Sequence, residues 1–483
     1  MLFLITLLGL LLRLTFISKP EGLWNDEYVS WYIANTPFVE GFWTEILKQC
    51  HMPFYYLYLK IFSEYNDFVL RLSSVIPNIL AIPVMYLVGK EFSRKAGYFC
   101  ALITSILSFL VYYSQEVRFY SILFLFSALS LLFTIKYIKN NTKLNLFGYI
   151  VSNLLILLTH VLGIIYVFFN ILYIVLKTKK IAKPIFLSFV LVLPIVIILG
   201  LNIIQMLPSS QWWGHFSYTN ILFLFSDFFS PILTNNVNAP PKFFYNNSLT
   251  YWILPSMLIA TFAIICSLKK TFKLNLISLG VIIIMSILAF YGKLVFITKY
   301  AIEILPILIL STVLGLENLK KIGTVLLTIF VSCHLGAIFT PYYVTKIPRT
   351  EGHRIVGEIL KKHDANVILF TYYEPNRFKR YIDLSQKKAL HISKSNRFMY
   401  KDNPEKILNN VTKGETVSIV FLDSVSFFDE NFLNNNKDNL NIPEMFITFS
   451  LIKNRLYKAI DEDYTNYKID KIGAWTVITG KKT

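Results

Sequence analysis

Long apolar runs follow one another along the first 340 residues and end near Thr345. Each run is continuous and close to 20 residues long, the length that an α-helix needs to cross about 30 Å of hydrocarbon. Transmembrane β-strands would instead alternate in hydrophobicity over about ten residues. The pattern predicts eleven membrane helices, at 2–17, 68–88, 96–113, 119–135, 145–159, 161–176, 184–206, 250–267, 274–292, 300–316 and 322–340.

The segment from Leu144 to Lys177 permits two interpretations, one long helix or two short ones. Two short helices fit better, because His160 and Gly163 fall in its middle and both ends are basic.

The composition changes after Thr345, where charged and amide residues become frequent and apolar runs shrink to strand length. We therefore predict a transmembrane domain over 1–344, with a first external loop at 18–67, and a small α/β domain over 345–483. The expected strands are Val367–Thr371, Val417–Leu422 and Trp475–Thr479, the expected helices Gly352–Lys362 and Pro375–Ile382, and the expected surface loop Asn431–Asn441.

Basic residues are grouped in short segments between the apolar runs, and this predicts the orientation. The net charge is +18, but its location in these loops argues against a nucleic-acid partner. Because cytoplasmic loops carry an excess of lysine and arginine, we expect the N-terminus inside, and the loop 18–67 and the C-terminal domain outside the cell (plasma or inner) membrane. The groups are Lys90, Arg94, Lys95; Lys136, Lys139, Lys143; Lys177, Lys179, Lys180, Lys183; Lys269, Lys270, Lys273; and Lys320, Lys321.

The cysteines and the first apolar run exclude two further features. The four cysteines are widely scattered without CxxC or CxxH spacing, so neither a zinc site nor a disulfide framework is indicated. The run Leu2–Ile17 lacks a basic start and an Ala-x-Ala cleavage site, so we expect a retained helix rather than a signal peptide.

Asp26 and Glu27 lie in the first external loop, directly after the first helix. A carboxylate at this interface could act as a general base toward an acceptor hydroxyl. The alternative is structural, since acidic residues also favour the first turn of a helix.

A second polar cluster spans Tyr112 to Ser121, at the predicted outer junction of two helices. It contains Glu116, Arg118 and Tyr120. The planar guanidinium of Arg118 is suited to phosphate oxygens. An interfacial aromatic belt would explain the tyrosines, but it explains the density of polar groups poorly.

Three smaller groups lie on the same predicted face: His51 with Tyr55 and Tyr56, then His160, then Lys299 with Tyr300. A lone histidine is more often a packing residue than a ligand, and Lys299 could simply pair with Glu303 at i, i+4. All of these polar groups fall on the same predicted face, although the orientation is deduced from other residues, the basic loops. This agreement favours a shared cavity in which acids face an acceptor hydroxyl and cations face a phosphate.

Taken in order, these motifs resemble the membrane glycosyltransferases of the GT-C fold, most closely glycosyltransferase family 39. This family includes protein O-mannosyltransferases and the bacterial aminoarabinose transferases of lipid A. The resemblance covers roughly residues 1–340. It depends on an Asp-Glu pair, His-x-Pro-x-Tyr-Tyr, Tyr-Ser-Gln-Glu-x-Arg-x-Tyr-Ser, Thr-His-x-x-Gly, and a basic residue plus Tyr opening a late helix.

The resemblance implies an inverting transferase that moves a sugar from a polyprenyl-phosphate donor to a hydroxyl of a lipid, glycan or protein. It assigns the base to Asp26, with Glu27 beside it, and places the donor phosphate at Arg118 and Lys299 near Tyr120 and Tyr300. Some members hold a divalent metal ion, for which Glu116, His51 and His160 are the candidates; Tyr55 and Tyr56 would line the cavity. No other cofactor is expected.

Two positions depart from the family pattern: Met52 replaces the first proline of the usual histidine motif, and Lys299 replaces arginine. Lysine keeps the charge but loses the bidentate fork. Two other functions stay open. A transporter or flippase of lipid-linked saccharides would place polar residues near the bilayer midplane, and a receptor or scaffold would need no acids in the first loop.

Overall fold

The computed structural model describes most of the chain, in two compact units. Described residues are 1–49, 51–178, 185, 190, 193–194, 197–198, 201, 219–232, 247–291, 296–340, 343–346, 352–363, 365–371, 378–391, 408, 411–422, 456–472 and 475–483. The first unit contains residues 1–17 and most of 33–347, while described residues of the second are Ser18–Tyr32 and those from 352 onward.

The chain is mainly helical up to Ala337. Three of the longer helices begin where a polar side chain accepts a hydrogen bond from the backbone three residues on: Asn66, Ser93 and Thr142. The helices are α1 Leu2–Leu14, α2 Asn25–Asn35, α3 Trp43–Lys48, α4 Pro53–Leu59, α5 Asp67–Lys90, α6 Arg94–Ile106, α7 Ser108–Ser114, α8 Tyr120–Lys139, α9 Lys143–Thr159, α10 Gly163–Thr178, α11 Thr219–Phe229, α12 Asn247–Phe290, α13 Leu305–Asn318, α14 Lys320–Ala337 and α15 His353–His363. Tighter or wider turns lie at Phe38–Phe42, Lys60–Phe62 and Thr298–Ile304.

Among the described residues, five helices are long and apolar enough to cross a membrane, or six if the bent pair α6–α7 is one span. The chain is therefore a multi-pass membrane protein, as predicted, but the count of eleven spans is not confirmed. The predicted loop at Lys269, Lys270 and Lys273 is wrong, because α12 is continuous through it. Basic residues need not end a helix, since lysine and arginine have a high intrinsic helix propensity. The span predicted at 184–206 lies largely outside the described residues.

Two breaks in the helical pattern shape the first unit. The span expected at 96–113 is bent by 55° between α6 and α7. The two short helices expected around His160 are confirmed, because α9 ends at Thr159 and α10 begins at Gly163.

Arg13 of α1 is buried and satisfies the carbonyls that the bend exposes. Its guanidinium donates to the carbonyl oxygens of Thr104 and Ser105 at 3.0 and 2.7 Å, at the end of α6. Those oxygens would otherwise lack partners at a helix terminus. The same group donates to Asn78 Oδ1 at 2.8 Å, which ties α1 to α5 as well.

The second unit contains a mixed sheet. Its described strands are β1 Val367–Phe370, β2 Lys388–His391, β3 Thr416–Leu422, β4 Tyr464–Ile472 and β5 Trp475–Lys482, in the order β2-β1-β3-β5-β4. Strand β1 pairs in parallel with β2 and β3, while β5 is antiparallel to β3 and β4. Helix α15 packs on one face through Val356 and Leu360, against Ile368, Phe370 and Val420.

The predicted α/β domain is thus present, with differences in detail. The three expected strands and the helix near Gly352 are found. Strand β2 was missed because it has only four residues, half of them polar, and β4 because it is largely polar. Pro375–Ile382 is a turn in its described part, 378–382, and Asn431–Asn441 lies outside the described residues.

We expect Arg13→Met to lower the midpoint of thermal unfolding in detergent. Removing the guanidinium leaves buried oxygens of Thr104, Ser105 and Asn78 unpaired, and each buried acceptor without a partner costs about 1–3 kcal/mol. Arg94→Met is the matched control, since Arg94 is exposed at the start of α6. Equal midpoints for the two variants would show that the Arg13 network contributes no stability.

Candidate active site

The turn between α7 and α8 carries Glu116 and Arg118 and is fixed by hydrogen bonds. The Gln115 side chain donates to the carbonyl oxygens of Arg13 and Thr15, both at 2.8 Å. The Arg118 N–H donates to the Glu116 carbonyl at 2.7 Å, and Ser74 Oγ donates to the Arg118 carbonyl at 3.3 Å. The backbone that presents Arg118 is therefore tied to both α1 and α5.

Arg118 and Lys299 meet at one aromatic ring. Arg118 Cζ lies 6.0 Å and Lys299 Nζ 5.4 Å from the centroid of Tyr120. Lys299 also lies 5.8 Å from the Tyr300 ring. Only 5% of Arg118 and 7% of Lys299 is exposed. The structure thus groups, around the Tyr120 ring, all four residues for which phosphate binding is expected.

Asp227, which does not stand out in the sequence, is part of the same region. It lies on α11, is buried, and accepts a hydrogen bond from Thr298 Oγ1 at 2.9 Å. Thr298 directly precedes Lys299, so this bond holds the start of the turn that carries the lysine.

His160 forms a buried pair with Glu303. Its Nδ1 lies 3.1 Å from Glu303 Oε1, and its ring stacks on Phe119 at 4.7 Å. The Tyr300 ring is 5.8 Å away. Glu303 therefore pairs with His160, rather than with Lys299 as the structural alternative for this spacing would have it.

Tyr55, Tyr56 and His51 form an aromatic group on and beside α4. His51 stacks on Tyr56 at 5.4 Å, and the Tyr55 ring lies 6.3 Å from Phe119. Burial holds the pKa of the Tyr55 hydroxyl well above its ordinary value, and the neighbouring Tyr56 adds to this shift. Tyr55 is therefore a neutral hydroxyl over the physiological pH range and is able to donate a hydrogen bond.

The three metal candidates have different surroundings. His160 pairs with Glu303, His51 stacks on Tyr56, and Glu116 lies in the α7–α8 turn. Within the part of the chain that the structure describes, no three His, Cys, Asp or Glu side chains are grouped as metal ligands. We therefore assign no step to a metal ion.

Asp26 and Glu27 belong to the second unit, in the first turn of α2. Glu27 is fully buried, and its Oε2 accepts a hydrogen bond from the Trp24 N–H at 3.2 Å. This is the reciprocal half of a capping box, in which a glutamate stabilises the helix start. Asp26 is half-buried. The geometry therefore gives Glu27 a structural role at the start of α2.

Comparison with known proteins supports this architecture. Residues 52–201 match the family model of dolichyl-phosphate-mannose-protein mannosyltransferases. The structure resembles ArnT from Cupriavidus metallidurans in the apo state (TM-score 0.53, 11% identity) and bound to undecaprenyl phosphate (TM-score 0.55, 10% identity). Both alignments cover 99% of this chain and 97% of ArnT. No curated protein sequence matches. The GT-C fold and the resemblance to glycosyltransferase family 39 are thereby confirmed.

We expect Thr298→Val to destabilise the first unit, because the isosteric change removes one donor from the buried carboxylate of Asp227. Such a loss costs about 1–3 kcal/mol. Thr312→Val is the matched control, since Thr312 is equally buried but its hydroxyl donates to the Leu308 carbonyl of its own helix. The midpoint of thermal unfolding in detergent is measured for both variants. A smaller fall in this midpoint for Thr298→Val than for Thr312→Val would contradict the anchoring role.

Proposed function

We propose that the chain transfers a sugar, with inversion, from a polyprenyl-phosphate donor to a hydroxyl of a lipid, glycan or protein at the outer face of the cell membrane. The coarser assignment, a glycosyltransferase with a lipid-linked donor, is supported by the mannosyltransferase-family domain and the ArnT-like fold. The observation that carries the proposal is the pair of buried cations, Arg118 and Lys299, at the Tyr120 ring.

In this proposal the donor phosphate binds Arg118 and Lys299. The bond between the anomeric carbon and the phosphate oxygen breaks with its electron pair on that oxygen, so negative charge grows on the leaving phosphate. Cations that are already fixed and shielded from water stabilise this charge most strongly in the transition state. Tyr120 and Tyr300 keep the cations in place.

Asp26 is the proposed base. It removes the proton of the acceptor hydroxyl while the hydroxyl oxygen bonds to the anomeric carbon from the opposite side, which inverts the configuration. The products are the glycosylated acceptor and the polyprenyl phosphate. Glu116, His51, Tyr55, Tyr56 and His160 are proposed as further residues of the sugar- and acceptor-binding region.

The proposed side of the membrane rests on two basic connections that the structure retains. One joins α5 to α6 at Lys90, Arg94 and Lys95, and the other joins α8 to α9 at Lys139 and Lys143. If α6–α7 and α8 each cross once, the turn with Arg118 lies on the side opposite both connections. The positive-inside rule then favours the outer face for this turn.

The test is turnover of purified protein with undecaprenyl-phosphate-linked hexoses and pentoses, with and without a chelator. The proposal expects donor consumption and release of undecaprenyl phosphate. Movement of the donor across a vesicle membrane without consumption would identify a flippase. Loss of turnover in the chelator would show a metal requirement.

We expect Arg118→Met to raise the KM for the lipid donor about ten- to a hundredfold, because a charge-assisted hydrogen bond to phosphate is worth about 1.5–3 kcal/mol. Methionine retains the aliphatic contacts. Arg94→Met, at an exposed site, should leave donor kinetics unchanged. An unaltered KM in Arg118→Met would remove Arg118 from donor binding and leave it as a residue of an interfacial belt.

We expect Asp26→Asn to lower kcat by about 10²–10⁴, the usual contribution of a general base, without loss of membrane insertion. Asp383→Asn is the control, since Asp383 lies in an exposed turn of the C-terminal domain. Full activity of Asp26→Asn would remove this residue from the mechanism.

A further inference from the structure

The segment before α2 is hydrogen-bonded to the C-terminal part of the chain. Tyr381 Oη accepts a hydrogen bond from the Leu23 N–H at 2.8 Å. The Leu23 carbonyl accepts from both the backbone N–H and the ring Nδ1 of His353, each at 3.1 Å. The Arg354 N–H donates to the Glu21 carbonyl at 3.1 Å. Both polar backbone groups of Leu23 are thus satisfied by residues more than 300 positions away.

Two glycines permit this close approach. Gly22 has φ +79°, and a Cβ there would lie 2.6 Å from Arg354 Cβ and 3.0 Å from Tyr381 Oη. A Cβ at Gly352 would collide with Glu21. The two segments fit each other only because neither carries a side chain at its contact point.

Aromatic contacts extend the same attachment along α2. The Tyr28 ring stacks on His353 at 5.1 Å, and His353 lies 5.1 Å from Phe378 in the core beneath β1. Arg380 Cζ lies 4.8 Å from the Trp31 ring. One side of α2 therefore packs on the α/β domain.

These contacts fix the position of Asp26. Trp24 caps α2, since the Tyr28 N–H donates to its carbonyl at 2.8 Å. Leu23, whose two backbone groups are both held, immediately precedes this cap, and Asp26 follows it within the first turn. A shift of Leu23 would therefore shift the Asp26 carboxylate.

We propose that the C-terminal α/β domain positions the base: Tyr381 and His353 hold Leu23 and thereby orient Asp26, without contacting the substrate. This inference rests on the proposed function of Asp26, and it gives the C-terminal domain a role in the reaction. Tyr381 and His353 are positioning residues.

Tyr381→Phe is the first test, because it removes only the hydroxyl that binds the Leu23 N–H. We expect amide hydrogen exchange in peptides from 18–32 to accelerate about two- to tenfold, the usual effect of one net hydrogen bond. The kcat should fall while the KM for the donor stays constant, since donor binding is assigned to Arg118 and Lys299. Tyr467→Phe is the matched control: it removes a hydroxyl bonded to Asp461 in the same domain and should change neither quantity.

Gly22→Ala is the second and stronger test, with Gly414→Ala as its control. Both glycines have a positive φ, but a Cβ at Gly414 meets nothing within 4 Å. Both variants therefore carry the same kind of backbone strain, and only Gly22→Ala disturbs the attachment. We expect a loss in kcat of about tenfold or more for Gly22→Ala, since small misplacements of a catalytic group cost up to about a hundredfold.

The outcomes separate the inference from the proposed function. Faster exchange in 18–32 together with a lower kcat supports positioning. Unchanged exchange, or faster exchange at full kcat, overturns it. If the wild-type protein consumes no donor, the proposed function fails, and the exchange measurement still decides whether Tyr381 holds the segment.

Discussion

The burial of the Arg13 guanidinium is the constraint on which the architecture of the first unit depends. A buried arginine is tolerated only when its donors are used, and here a bent helix supplies the acceptors at Thr104 and Ser105. The bend and the arginine require each other, since each would leave buried polar groups without the other. From Asn78, a partner of Arg13, the network continues to Ser121 and then to the Tyr113 carbonyl. The α7–α8 turn is thus hydrogen-bonded to α1 directly through Gln115 and indirectly through Asn78.

The hydrogen bonds that hold the α7–α8 turn bear directly on the candidate chemistry. The cations at the Tyr120 ring belong to two distant segments, the α7–α8 turn and the turn at Thr298–Ile304, and each has its own anchor. Gln115 holds the first and Asp227 the second. Charges fixed before a substrate arrives need no reorganisation when charge develops during the reaction, which is the main source of electrostatic catalysis.

The sequence predicted the membrane character, the C-terminal α/β domain and the residues of the cation group. Arg118, Lys299 and His160 stood out because polar residues are rare among apolar runs. Asp227 did not, because it lies in the segment between the predicted spans 184–206 and 250–267, where polar residues are common. Arg13 did not stand out either, and only the fold brings it to a bend some 90 positions away. The α-helical spacing of Lys299 and Glu303 left open that the two side chains pair. The turn there is a 3₁₀-helix, which has 3.0 residues per turn, so the i, i+4 alignment is lost and Glu303 meets His160 instead.

The attachment of Leu23 also has a consequence for how the protein is made. The partners of Leu23 follow it by 330 and 358 positions, and synthesis proceeds from the N-terminus. Leu23 leaves the ribosome long before His353 and Tyr381 exist, so these contacts are among the last to form. An incomplete chain that ends before α15 lacks them altogether, however well its membrane helices have assembled. Under the positioning inference, the protein gains its activity only after His353 and Tyr381 have been translated and the α/β domain has folded.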